Sequence, residues 1–245
     1  SRKRFITLKP KGLGNFCNLK CFMCPPHLSS SRSTEMIKMS DDTAKIFYER
    51  GIADLDSRMK EYNKQIKEYQ DLYFEIIELM GDQLCQINLS GGEPTMISGF
   101  IPLLDKLVET GHSKEMKLFL NSNMTRMSLL ENNFSDYFKY FKNVTIHASI
   151  DNIGKYDEWQ RYPTKFNEIE ECIDFIRTKY PKVILYGNTT WSVLNVEFVE
   201  EINEFLTTNK LDLAIPLNFV FSPITFSAGN HPNKTNLIEK YSKSN

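Results

Sequence analysis

The densest chemistry in the chain lies between Asn15 and Pro26. Cys17, Cys21 and Cys24 follow the spacing C-x3-C-x2-C. Three thiolates on one tight loop can each take one iron of a cuboidal cluster, and local runs of cysteine are the usual protein ligands of such clusters. The fourth iron then has no protein ligand, and an open metal position is where catalytic centres take a substrate or cofactor. His27 follows Cys24 by three, so Cys17, Cys21, Cys24 and His27 also supply the donors of a tetrahedral Cys3His zinc site. The spacing leaves both readings open. Unliganded buried thiols are a third, disfavoured by the density of cysteine. Cys85 and Cys172 have apolar neighbours and read as core residues.

A second group follows at Leu89-Ser90-Gly91-Gly92-Glu93-Pro94. Gly91 and Gly92 let backbone approach a ligand without a Cβ in the way. Glu93 offers a carboxylate, and Pro94 fixes the exit. Glycines at the C-terminal end of a parallel strand sit where α/β folds place ligands. Alone, the string also suits an ordinary strand-to-helix turn.

Together, the cysteine spacing and the GGEP string one strand later resemble the radical S-adenosylmethionine superfamily. The resemblance implies a 4Fe–4S cluster on Cys17, Cys21 and Cys24, with Phe22 in the family's aromatic position. It implies S-adenosylmethionine chelating the open iron through its amino and carboxylate groups, with Gly91, Gly92 and Glu93 at the amino group. Leu120-Asn121-Ser122-Asn123-Met124 resembles a segment that often ends Thr-Asn-Gly. Ser122 and Asn123 fit it, and Met124 departs from the glycine. Ser149-Ile150-Asp151 resembles the family's Ser-Leu-Asp, which implies Ser149 and Asp151 at the ribose or methionyl end. Arg161 is a candidate for the cofactor's carboxylate, against an alternative role as a solvated helix residue. Thr190-Trp191-Ser192-Val193-Leu194-Asn195 resembles the stretch that walls the adenine, although Trp191 equally suits the core. His147 alternates inward with Ser149, and its ordinary role is a satisfied core histidine.

The implied reaction is reductive cleavage of S-adenosylmethionine to a 5′-deoxyadenosyl radical that abstracts a substrate hydrogen. An electron donor such as flavodoxin or ferredoxin is implied as partner. The cysteine loop, the Ser-Ile-Asp segment and 190–195 are similar to the SPASM or twitch branch, many of whose members modify peptides, so a peptide or protein substrate is expected. Auxiliary clusters need cysteines after the barrel, and none follows Cys172. Modification of a nucleotide or RNA base is an alternative that calls for a basic rim. A non-catalytic zinc interaction module built on His27 is another.

These residues need a scaffold. A length of 245 residues suits one large domain, and 41% hydrophobic with 12% aromatic residues can form a sizeable core. Lys plus Arg is 30 against 31 for Asp plus Glu, so nothing in the net charge calls for nucleic acid or an anionic membrane. No apolar run approaches the roughly 20 residues of a membrane span, and the N-terminus lacks a signal-peptide core. Five cysteines, three of them clustered, are not a disulfide framework, so a reducing, cytoplasmic setting is expected.

Candidate strands are Phe5–Leu8, Leu84–Leu89, Lys117–Leu120, Val144–Ile150, Val183–Tyr186 and Leu213–Val220. Helix-like stretches fall near 41–80, 99–110, 128–141, 166–179 and 196–208. This alternation argues for an α/β fold with a parallel sheet, either open and doubly wound or an incomplete barrel. The family resemblance implies a partial (β/α)6 barrel over 1–225, with 226–245 a polar tail that loops out or leads into a further part. Ile52, Leu55, Met59, Tyr62, Ile66, Tyr69, Tyr73, Ile76 and Met80 form a heptad seam on an extended helix at about 54–80. Packing along the domain edge is its ordinary reading, and a lid or docking helix the sharper one.

Overall fold

The computed structural model describes residues 5–48, 51–125, 134–214, 218–220 and 224–242. The β-branched and apolar runs form six strands: β1 Ile6–Leu8, β2 Leu84–Leu89, β3 Lys117–Ser122, β4 Asn143–Ser149, β5 Ile184–Asn188 and β6 Asp212–Leu213. They lie in sequential order, each parallel to the next. Parallel neighbours require crossovers, which here carry the helices. Among the described residues β1 and β6 do not pair, so the barrel stays open on one side. This is the expected α/β partial (β/α)6 barrel.

The two faces of the sheet differ. Ile87, Leu89, Leu118, Leu120, Ile146 and Ala148 point to the helix side and are fully buried. The alternate residues Gln86, Asn88, Phe119, Asn121, Thr145, His147, Ser149, Tyr186 and Asn188 are only half-buried. A two-residue alternation of apolar and polar positions gives the barrel a dry outer layer and a polar inner wall.

The described helices are α1 Ser30–Met36, α2 Asp41–Phe47, α3 Gly51–Met80, α4 Ile101–Glu109, α5 Lys155–Gln160, α6 Phe166–Lys179, α7 Val199–Thr208 and α8 Lys234–Ser242. The continuous helix expected over 41–80 is divided. Gly51 has φ +77°, a left-handed conformation that favours glycine, and Ile52 N–H donates to Asp41 Oδ1 at 3.0 Å. Of the helix expected over 128–141, residues 134–140 form a 3-10 helix and 126–133 lie outside the described residues. The last strand is shorter than expected: β6 has two residues, and Phe219 makes an isolated bridge to Trp191.

The extended helix α3 bridges two cores. Its first half packs Leu55, Ile52 and Met59 against Met36 and Ala44. Its second half packs Tyr69, Tyr73, Ile76 and Ile77 onto the sheet's outer layer. Each fully buried aliphatic side chain contributes about 1.5–3 kcal/mol. Six seam residues, Ile52, Leu55, Met59, Tyr69, Tyr73 and Ile76, therefore face a core, as edge packing requires, and Ile66 and Met80 are half-buried; the side chain at 62 lies outside the described residues. Tyr73 Oη accepts from Lys11 N–H at 2.6 Å and donates to Lys11 C=O at 3.1 Å. That clamp fixes the chain as it leaves β1 and enters the cysteine loop.

Candidate active site

The cysteine loop hangs between two supports. On one side, Ser29 caps α1 by accepting from Arg32 N–H at 3.3 Å, and its hydroxyl donates to Leu19 C=O at 2.9 Å. Ser30 Oγ accepts from Cys17 N–H at 3.3 Å, and Ser31 Oγ donates to Cys17 C=O. On the other side, Lys20 N–H donates to Tyr162 C=O at 2.7 Å and Phe22 N–H to Gln160 C=O at 3.0 Å. Helix α1, α5 and the Ser29–Ser31 run escaped the sequence reading. The serines were the signal: three in succession, right after the cysteines, satisfy loop backbone groups.

Cys17 and Cys21 are buried, and Cys24 is half-buried. Together with Leu19, Met23 and Val220 they form a small cluster of their own, with Phe226 against it. Burial pushes all three thiols up, Cys24 to about 12. Three thiols in a dry pocket ionise only if positive charge compensates them, and iron coordination supplies that charge. The donor set thus fits a cluster held by Cys17, Cys21 and Cys24. A single zinc ion needs its sulfurs within about 3.8 Å of one another, from Zn–S bonds of about 2.3 Å. Among the described residues no group of three His, Cys, Asp or Glu side chains is arranged to hold a single metal ion. His27 packs its ring near Tyr48, at 6.3 Å between centroids, beside the α1–α3 core.

The GGEP turn is built against this loop. Gly92 has φ +56°, and a Cβ there would collide with the Phe16 carbonyl oxygen. Its N–H donates to Leu28 C=O at 2.8 Å, and Glu93 N–H donates to Phe16 C=O at 2.7 Å. Glu93 is 1% exposed. Its carboxylate accepts from Asn123 N–H at 2.6 Å, Thr95 Oγ1 at 2.8 Å and Ser122 Oγ at 3.1 Å. Burial pushes its pKa up against these donors. Glu93 therefore ties the end of β2 to the end of β3. Gly91 has φ +95° with nothing within 4 Å of its Cβ position, which leaves open space on that side.

Asn123 extends the tie to the cysteines. Its Nδ2 donates to Asn18 Oδ1 at 2.7 Å and lies 4.0 Å from Cys17 Sγ. Asn18 in turn donates to Thr125 Oγ1 at 2.9 Å. Met124 adopts φ +57° and is fully buried. That left-handed conformation at a methionine costs about 1–2 kcal/mol.

The β4 end carries the remaining candidates. Ser149 is half-buried on the inner wall, opposite Asn188 in register. Asp151 is 2% exposed, accepting from Thr190 N–H at 2.7 Å and Arg161 Nη1 at 2.6 Å. Arg161 is 6% exposed, so the solvated alternative is corrected. Burial opposes its charge, and Asp151 and Asp157, together with Cys21 once it is a thiolate, outweigh burial and raise its pKa. Asn195 Nδ2 donates to Asp151 C=O at 2.7 Å, which docks the 190–195 stretch on the same residue. Trp191 is buried in the main core. Phe22 packs on Trp159 at 4.8 Å, with Phe226 at 6.5 Å. The His147 ring is half-buried between Phe119 and Tyr186, at 4.4 and 5.6 Å, and burial lowers its pKa. It lies on the inner wall, not in the core; Cys172 is a core residue, and Cys85 is half-buried with Sγ 3.3 Å from Ile6 C=O.

The fold is a partial (β/α)6 barrel, shared with solved structures that hold S-adenosylmethionine. Among solved structures, the chain resembles anSMEcpe with bound AdoMet, at TM-score 0.56 and 16% identity over 84% of this chain and 50% of that one. It also resembles Streptococcus suis SuiB bound to S-adenosylmethionine, at TM-score 0.53 and 16% identity over 86% and 40%. The chain thus spans half or less of these proteins. No protein-family model and no curated sequence matches it.

Proposed function

We propose that the chain is a radical S-adenosylmethionine enzyme acting on a peptide or protein. The observation that carries this reading is the convergence of the Cys17, Cys21 and Cys24 loop with the Gly92–Glu93 turn and Asn123 at the strand ends of a partial barrel. When bound, the cluster and S-adenosylmethionine would supply reductive carbon–sulfur cleavage and a 5′-deoxyadenosyl radical that takes a hydrogen from substrate. The chain's own residues hold and orient. Cys17, Cys21 and Cys24 would ligate the cluster. Gly91, Gly92 and Glu93 would form the cradle for the cofactor's amino group, with the open space at Gly91 nearest it. Ser122 and Asn123 keep that cradle in register with the loop. Ser149, Asp151 and Arg161 would border the rest of the cofactor, with Phe22 closing the side toward Trp159.

The peptide reading draws on two similar structures, anSMEcpe with AdoMet and the Cp18Cys peptide, and SuiB with its precursor peptide SuiA. The polar inner wall below the strand ends offers amide and hydroxyl groups to a peptide backbone. The test is anaerobic incubation of the reconstituted chain with dithionite and S-adenosylmethionine. Formation of 5′-deoxyadenosine that disappears in Cys21→Ala supports the reading. Equal formation by both proteins refutes it.

A further inference from the structure

We propose that Arg161 tunes the cluster: its guanidinium donates a hydrogen bond to the Cys21 sulfur, and its ion pair with Asp151 sets how readily the cluster takes an electron. This rests on the reading of Cys17, Cys21 and Cys24 as cluster ligands, and goes beyond it.

The geometry begins in the backbone. Lys20 N–H reaches Tyr162 C=O, and Phe22 N–H reaches Gln160 C=O. These two bonds flank Cys21 on the loop and Arg161 at the C-cap of α5. They dock the Cys21 segment against the end of that helix.

The side chains agree. Arg161 Nη1 is taken by Asp151 at 2.6 Å, both residues being buried. Arg161 Nε is buried and has no hydrogen-bond partner. A guanidinium N–H cannot be deprotonated away, so an orphaned one in a dry site signals a missing acceptor. The Cys21 sulfur, once it carries thiolate charge, is the acceptor that this docking brings to the guanidinium. As a thiolate, Cys21 would also be a favourable charge partner of Arg161.

Hydrogen bonds to cluster sulfurs and nearby net charge set cluster potentials. Reduction adds negative charge, which a neighbouring cation stabilises and a neighbouring anion opposes. Arg161 and Asp151 must then act with opposite sign. A role of Arg161 confined to the cofactor's carboxylate would leave the cluster potential unmoved while no cofactor is present.

The experiment is an EPR-monitored redox titration of the anaerobically reconstituted full chain, without S-adenosylmethionine. Arg161→Gln should shift the midpoint potential down, Arg161→Lys should restore part of the loss, and Asp151→Asn should shift it up. If Arg161→Gln fails to assemble a cluster, Asp151→Asn decides alone: an upward shift supports the proposal, and no shift or a downward one overturns it. Shifts of the same sign in Arg161→Gln and Asp151→Asn, or no shift in either, also overturn it. A wild-type chain that binds no cluster refutes the function itself, an outcome distinct from a cluster whose potential ignores both substitutions.

Discussion

Replacing Glu93 with alanine should unfasten the cofactor end of the barrel, and replacing it with glutamine should not. Glu93 is 1% exposed and accepts from Asn123 N–H, Thr95 Oγ1 and Ser122 Oγ at 2.6, 2.8 and 3.1 Å. Alanine strands the Asn123 N–H and leaves a void. A buried unsatisfied donor costs about 1–3 kcal/mol. The hydroxyls can rotate, and they add less. With the lost packing, the sum is about 3–5 kcal/mol. At about 2–4 °C per kcal/mol for a chain of this length, the melting temperature should fall by roughly 6–20 °C. Glutamine keeps an oxygen for Asn123 N–H, and its amide can donate to the two hydroxyls once they turn to accept, losing only the long 3.4 Å bond from Thr95 N–H. It also removes a carboxyl whose ionisation burial already opposes. Its cost should stay within about 1 kcal/mol. Since Asn123 reaches Asn18 and lies 4.0 Å from Cys17 Sγ, alanine should also lower bound iron, and glutamine should not. Thermal denaturation and iron analysis of the three proteins decide. An alanine variant that melts with the wild type, or a glutamine variant as unstable as the alanine one, refutes the reasoning.

Gly92→Ala should lose cluster and stability together, because its Cβ meets the Phe16 carbonyl oxygen, whereas Gly91→Ala carries only backbone strain of about 1–2 kcal/mol. Iron content after reconstitution separates them: Gly91→Ala should stay near wild type and Gly92→Ala should not. Cys17→Ala should abolish the iron–sulfur absorption, and Cys85→Ala should leave it intact. Asp157 has its pKa raised from 3.8 to about 7, by burial above all. A raised acid contributes its stability below its unfolded pKa and loses it as pH climbs through the folded one. Asp157→Asn lacks that loss, so it should gain on the wild type by about 2–3 kcal/mol between pH 5 and 8. Urea denaturation at the two pH values measures it, and a constant difference rejects it.

The strands and the cysteine loop were legible because their signals are local. Periodicity gives the strands, and thiol spacing depends on a few adjacent residues. Extended α3 was legible through its seam, since a helix joining two cores needs apolar residues on one face throughout. Its break from α2 was missed because α2 ends at an extended Tyr48 and α3 begins at a left-handed Gly51, backbone changes that no periodicity reports. Helices α1 and α5 are too short to show a repeat. The network around Glu93, Asn123 and Asn18 joins residues far apart in sequence, and a single motif names only one end of it. Arg161 was suspected but looked as suited to solvent, because its burial comes from the cysteine loop folding over it. Met124 broke the expected Thr-Asn-Gly pattern and takes a left-handed conformation all the same, its side chain fully buried in the core.

The central claim is that Cys17, Cys21 and Cys24 grip a four-iron cluster with one iron open to S-adenosylmethionine. EPR of the dithionite-reduced, anaerobically reconstituted chain, recorded before and after adding S-adenosylmethionine, tests it most directly. The account predicts a 4Fe–4S signal whose g-values shift on addition. A signal that ignores S-adenosylmethionine, or a protein that holds zinc in place of iron and sulfide, contradicts it.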